Sequence, residues 1–263
     1  MNIVAAAEAL LQAEKEKKPI APFTSLIEEI SIKDAYQIQI YQIEKKVEQG
    51  ALVKGKKIGL TSKVMQDMFN VSTPDYGHIL DNMIFDEGSP IHVERFIQPK
   101  VEFEIAFVLK EDLIGPNITA KDVIAATAYV VPAIEIIDSR IEDWKFKFED
   151  TVADNGSSAG AVIGQRQTKI GNVDLVTEKL SVYKNDQLID EATGDAVMGN
   201  PVHAVAWLAN TLSEYNISLQ KGEIILAGAL TKAIIFEPGD TFTAKFETLG
   251  EVSISFTEGG VIS

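Results

Sequence analysis

The sequence predicts an α+β fold: one mainly antiparallel β core with helices appended at its N-terminal end. Three observations carry this. Residues 99–109 and 130–138 are strand-like runs rich in β-branched and aromatic side chains. Two capped amphipathic patterns precede residue 50. Beyond residue 220, short β-rich runs alternate with Gly and Pro breaks. The 263 residues contain no low-complexity tract, fixed-period repeat or flexible linker. They read as one domain over 1–263, with a helical part over 1–60 and a β-rich core over 61–263.

Over residues 2–17, Ile3, Val4, Ala7, Leu10 and Leu11 recur at helical spacing. Pro19 and Pro22 end that helix. Ser31, with Asp34 three residues on, caps a second helix carrying Ala35, Tyr36, Ile40, Ile43 and Val47, and Gly50 stops it. The two are expected to pack together. Residues 52–62 predict a short strand entering a loop, where Lys54, Lys56 and Lys57 fit a solvated basic turn. Its two glycines would also let the backbone approach a ligand. Residues 62–69 predict a short helix with Val64, Met65 and Met68 inward, and Thr73 to His78 predicts a turn. Short strands and turns follow over 79–98.

The central stretch runs from Gln98 to Ser139. Side chains alternate along a strand, so Glu102 and Glu104 share one face while Val101, Phe103, Ile105 and Phe107 share the other. Ala106 and Val108 keep the glutamate side apolar, and Glu135 interrupts the second run in the same way. Buried carboxylates need a partner, a proton or a metal. Three converging carboxylates would suit a hard ion such as Mg²⁺ or Mn²⁺. The spacing alone is also met by glutamates on a solvated face or paired with lysine.

Between those runs, Gly115-Pro116-Asn117 marks a turn, and Thr119 with Asp122 starts a helix reaching 125–128. Residues 150–160 read as a polar loop feeding a strand over 161–163. That loop contains Gly156-x-Ser158-x-Gly160, a formal nucleophile-elbow pattern, with Asp195 and His203 following in order. A serine hydrolase using Ser158 is therefore a rival reading, but the apolar strand before the elbow and the helix after it are missing. Asn200-Pro201 starts a helix through Leu212, and strands follow at 223–227, 233–237, 241–247 and 252–256.

A balance of 24 basic against 39 acidic residues, net −15, argues against nucleic-acid binding. Zero cysteines exclude a thiol nucleophile and thiolate metal sites. Three histidines leave little room for a histidine-rich zinc centre. The N-terminus is a poor signal peptide, and no window reaches the ~18 apolar residues of a membrane span. A cytoplasmic protein with no membrane partner is expected.

Several blocks resemble the 2-keto-4-pentenoate hydratase / 4-oxalocrotonate decarboxylase family of the fumarylacetoacetase superfamily. They are Lys57-Ile58-Gly59-Leu60-Thr61, Pro74-Asp75-Tyr76-Gly77, Val101-Glu102-Phe103-Glu104-Ile105-Ala106, Pro132-Ala133-Ile134-Glu135, Asp138-Ser139-Arg140, Asp150-Thr151-Val152-Ala153-Asp154-Asn155 and Gly228-Ala229-Leu230. The resemblance implies a mixed β-sandwich roll and a Mg²⁺ or Mn²⁺ site at Glu102, Glu104 and Glu135. It implies Lys57 and Asp75 as catalytic residues, and Ser157 and Leu60 as contacts for a small 2-oxo or 2-hydroxy carboxylic acid. Asp75 and the Asp143-Trp144 pair lean toward hydratase, with the decarboxylase as the alternative. Gly156 and Phe103 depart from the alanines usual in the family. A homo-oligomer, in some relatives joined by a partner decarboxylase, is also implied.

Overall fold

The structure, a computed structural model, describes residues 2–26 and 30–259. Helix α1 (Ile3–Glu16) starts at Asn2, whose side chain accepts from the Ala5 amide at 3.1 Å. After α2 (Phe23–Leu26), α3 (Ile32–Glu48) starts at Ser31, which accepts from the Asp34 amide at 3.0 Å. As expected, α1 and α3 pack together. They bury Ala7, Leu10, Ala35 and Ile38, and Lys46 reaches Glu14 at 2.6 Å.

The chain then alternates between sheet and surface. Strand β1 (Val53–Gly59), α4 (Lys63–Phe69), β2 (Asp75–Leu80), β3 (Ile84–Phe85) and β4 (Ile91–His92) lead to β5 (Lys100–Leu109). Next come α5 (Ala120–Ala126), β6 (Thr127–Ile137), α6 (Phe148–Ala153) and β7 (Ser158–Ile163). Between Ile163 and Asn200, where the periodicity assigns nothing, lies the hairpin of β8 (Lys179–Lys184) and β9 (Gln187–Thr193). Its turn, Asn185-Asp186, holds both residues at positive φ, the hairpin signature that marks it in hindsight. The remainder is α7 (Pro201–Ser213), β10 (Ile224–Ala229), β11 (Ile234–Ile235), β12 (Thr241–Phe246) and β13 (Gly250–Thr257).

One sheet runs β2-β1-β10-β5-β6-β7-β3, with β11 also on β5; the other runs β4-β13-β12-β8-β9. Most pairs are antiparallel, but β1–β10, β3–β7 and β4–β13 are parallel, so the sheets are mixed. The main core lies between the sheets. Val101, Phe103, Ile105 and Phe107 project into it, and Phe103 meets Phe242 at 6.0 Å between ring centroids. The opposite face of β5 carries Glu102 and Glu104 and then Ala106, which joins a second, smaller core with Ile79, Val131 and Leu226. Among the described residues, no helix is long and apolar enough to cross a membrane.

Three local expectations are corrected. Residues 150–153 belong to α6 rather than to a loop, because Asp150 accepts from the Lys147 amide at 3.0 Å and closes the first turn. Asp75 opens a buried strand, so the turn ends at Pro74. In α4, Val64 and Met65 are exposed instead of inward, and the Met68 side chain lies outside the described residues. That two-turn helix is held by the Ser62 cap and by the Gln66 side chain, whose Nε2 donates to the Leu60 carbonyl at 3.0 Å. Its apolar positions therefore do not decide its orientation.

Candidate active site

Antiparallel pairing sets Glu102 directly opposite Glu135, and Glu104 lies two residues along the same face. One oxygen from each of the three carboxylates falls within 4.8 Å of the other two. Glu104 and Glu135 are fully buried. The Gly228 amide donates to Glu104 Oε2 at 2.7 Å. Glu104 Oε1 and both Glu135 oxygens make no hydrogen bond among the described residues. Burial raises all three carboxyls above the ordinary range. Lys57 opposes the rise; neighbouring glutamates add to it at Glu104 and Glu135, Asp75 adds to it at Glu102, and Glu135 reaches about 7. Buried acceptors aimed at one point, with too little positive charge to satisfy them, fit a divalent cation.

The nearest positive charge is Lys57, whose Nζ lies 3.6 Å from Glu135 Oε2. Burial works against its charge, but Glu135, Asp75, Glu102 and Glu104 outweigh that and raise its pKa. Lys57 and Lys56 are thus not a solvated basic turn. Both are buried in β1 and, as successive residues, face opposite sides. Lys56 binds Glu223 at 2.6 and 2.8 Å behind the sheet. The sequence hides this because each lysine's partner is a distant carboxylate.

Asp75 comes from the neighbouring strand, where it pairs with Gly59. Its Oδ1 is buried without a partner among the described residues. Burial raises this carboxyl, against the pull of Lys57, the Gly59 amide and the Thr151 hydroxyl. Ser157 is buried with its Oγ also unpartnered. A Cβ on the preceding Gly156 would touch Lys57 Cδ at 3.4 Å, so the Ser157 turn lies against the lysine stem. Leu60 sits three residues beyond Lys57 with φ 55° and packs, half-buried, against the main core. Lys57, Asp75 and the three glutamates therefore meet in one place, with the Gly156-Ser157 turn against the Lys57 stem. Leu60 packs against the core instead.

The Ser158 triad does not form. Ser158 opens β7, which is followed by Gly164 and not by a helix. His203 is exposed on α7, its Nδ1 3.5 Å from the Met198 carbonyl, and Asp195 is bound by the Thr193 hydroxyl.

Two contributions were not legible residue by residue. The Gly228 amide acts on Glu104 through the backbone, which no side-chain pattern reveals. Gln39 is fully buried and reaches β2. A polar residue inside the apolar stripe between Tyr36 and Ile43 was the available signal.

Residues 58–256 match the fumarylacetoacetate (FAA) hydrolase C-terminal family. The chain is 44% identical over 253 residues to the 2-hydroxyhexa-2,4-dienoate hydratase of Comamonas testosteroni, covering 95% of this chain and 96% of that one. It is 46% identical over 212 residues to the 2-hydroxypent-2,4-dienoate hydratase of Pseudomonas putida, covering 80% and 96%. Its fold matches the 4-oxalocrotonate decarboxylase of Pseudomonas putida G7, complexed with magnesium and adipate, with a TM-score of 0.93 and 37% identity over 97% of each chain. The α+β roll expected from the sequence is borne out.

Proposed function

The chain belongs to the fumarylacetoacetate hydrolase C-terminal family, and from that premise we propose a metal-dependent hydratase that converts 2-hydroxypenta-2,4-dienoate to 4-hydroxy-2-oxopentanoate. The observation that carries this reading is the convergence of Glu102, Glu104 and Glu135 within 4.8 Å, with Lys57 at 3.6 Å.

In this reading the three glutamates hold Mg²⁺ or Mn²⁺. Such an ion, when bound, supplies Lewis acidity toward negative charge on the substrate's C2 oxygen. Lys57 and Asp75 move the protons. The dienol gives up its C2 hydroxyl proton and gains one at C5, which leaves a conjugated 2-oxo-3-enoate. Asp75, with Oδ1 uncommitted, orients the water. Hydroxide adds at C4 and the remaining proton ends at C3. The Ser157 hydroxyl bonds the substrate, and Leu60 lines its apolar flank. No covalent nucleophile is required, in keeping with a chain that has no cysteine.

The second reading is a 4-oxalocrotonate decarboxylase, favoured by the fold match to that enzyme. There the same electron sink would accept the electron pair left by a departing C5 carboxylate. Assaying both acids side by side with Mg²⁺ separates the two. Dienoate loss should exceed CO₂ release from 4-oxalocrotonate, and the reverse order overturns the hydratase reading. A cytoplasmic homo-oligomer, alone or with a partner decarboxylase, completes the proposal, and light scattering of the purified protein tests its subunit number.

A further inference from the structure

We propose that Gln39, acting through His78 and Asn155, is a positioning residue that fixes Asp75 and Ser157 around Lys57; this rests on the hydratase reading. Gln39 projects from α3 into the core and is fully buried. Its Nε2 gives both protons to carbonyls, Tyr76 O at 2.9 Å and Val152 O at 2.8 Å. Its Oε1 is therefore the atom facing His78 Nδ1 at 3.1 Å, which places the ring proton on Nδ1. Asn155 then brackets the His78 backbone. Its Oδ1 accepts from the His78 amide at 2.7 Å, and its Nδ2 donates to the His78 carbonyl at 2.9 Å.

Two catalytic segments are joined in this way. One is β2, which begins at Asp75. The other runs from α6 through the turn that presents Ser157. They approach closely, since a Cβ on Gly77 would lie 2.1 Å from the Asn155 carbonyl oxygen. The turn itself is strained. Asn155, Gly156 and Ser157 have φ of 55°, 57° and 57°, and two of the three are not glycine. Such a conformation persists only where its surroundings over-determine it. The bracket on His78 provides that constraint at Asn155, and Gln39 braces both sides from behind. Gln39 makes no hydrogen bond to the glutamates or Lys57 among the described residues, so its effect passes through the backbone.

The helix supplies its own control. One turn on, Gln42 donates to the Ala153 carbonyl at 2.8 Å and to the Ile38 carbonyl at 3.0 Å. It braces α6 but makes no hydrogen bond to β2 among the described residues. The experiment compares Gln39→Met with Gln42→Met in the full chain with Mg²⁺. Both should lower Tm. Gln39→Met should lose roughly 10- to 100-fold in kcat while KM and Mg²⁺ affinity stay near wild type. Gln42→Met should keep kcat within about threefold. Hydrogen exchange at the His78 and Ser157 amides should speed up about tenfold or more in Gln39→Met alone. Equal kcat losses in the two variants, or wild-type kcat in Gln39→Met, overturn the proposal. If Gln39→Met does not fold, Asn155→Asp takes its place, because it keeps the acceptor for the His78 amide and loses the donor to its carbonyl. Wild-type kcat there overturns the proposal. If the wild-type protein turns over neither acid, the hydratase reading fails. The exchange pattern then decides the positioning claim alone, and unchanged exchange refutes it.

Discussion

Gly59 and Asp75 face each other across β1 and β2 so closely that a methyl group on Gly59 would stand 2.2 Å from Asp75 Oδ1. The same methyl would lie 3.0 Å from Lys57 Nζ. The carboxylate and the ammonium thus occupy the volume that any other residue's Cβ would fill. Pairing of two adjacent strands brings the proposed proton-handling groups together, and the missing side chain leaves them room.

Replacing Gly59 with Ala should displace the Asp75 carboxylate and lower kcat by about 100-fold, the scale of a displacement of about 1 Å. Asp75→Asn should lose as much while keeping the backbone in place. In both, calorimetry should find Mg²⁺ binding retained, because the glutamates lie on other strands. Wild-type turnover by either variant would remove Asp75 from the mechanism.

Glu104→Gln keeps an acceptor for the Gly228 amide and removes one charge from the proposed cation site. Circular dichroism should be unchanged, and Mg²⁺ or Mn²⁺ binding should weaken by at least about tenfold. Turnover by the wild-type protein should stop in EDTA. Protons compete with the cation at Glu135, which sits at about 7 when burial and Glu102 raise it against Lys57. Affinity should therefore fall as the pH drops below neutrality. An affinity independent of pH between about 8 and 6 would contradict this competition.

Lys56 and Glu223 form a buried ion pair at 2.6 Å. Lys56→Met leaves a buried carboxylate with its cation gone and should cost about 3–5 kcal/mol in chemical denaturation. Lys56→Met with Glu223→Leu removes both charges and should recover most of that loss. If the double variant is no more stable than the single one, the pair is not the source of the penalty.

His78 is held neutral. Burial, aided by Lys56, lowers its pKa to about 3, so its ring should not titrate between about pH 8 and 5 when followed by NMR. The unfolded ring binds a proton near pH 6.5 and the folded one does not. Its stabilising contribution is therefore present above pH 6.5 and is lost as pH falls toward the folded value. By about pH 5 the loss amounts to about 2 kcal/mol. A ring midpoint near 6.5 in the folded protein would refute its burial.

Local rules read well wherever the physics is local. Strand alternation puts Glu102 and Glu104 on one face, and Ser31 with Asp34 starts α3, as the structure bears out. They fail where the deciding neighbour is far along the chain. The lysines of β1 read as a solvated turn because Glu135 and Glu223 lie some 80 and 170 residues away. Residues 150–160 read as loop because the Asp150 cap of α6, also held by Thr24, resembles ordinary polar sequence.

By itself the sequence determined the two glutamate-bearing strands, the capped helices and the family resemblance, because side-chain period and capping are properties of a few consecutive residues. Only the tertiary structure decided that Glu135 stands opposite Glu102, that Lys57 faces them while Lys56 turns away, and that Gly59 makes room for Asp75. Those outcomes depend on strand register and on burial of charge. Both are set by segments that meet only when the sheet closes.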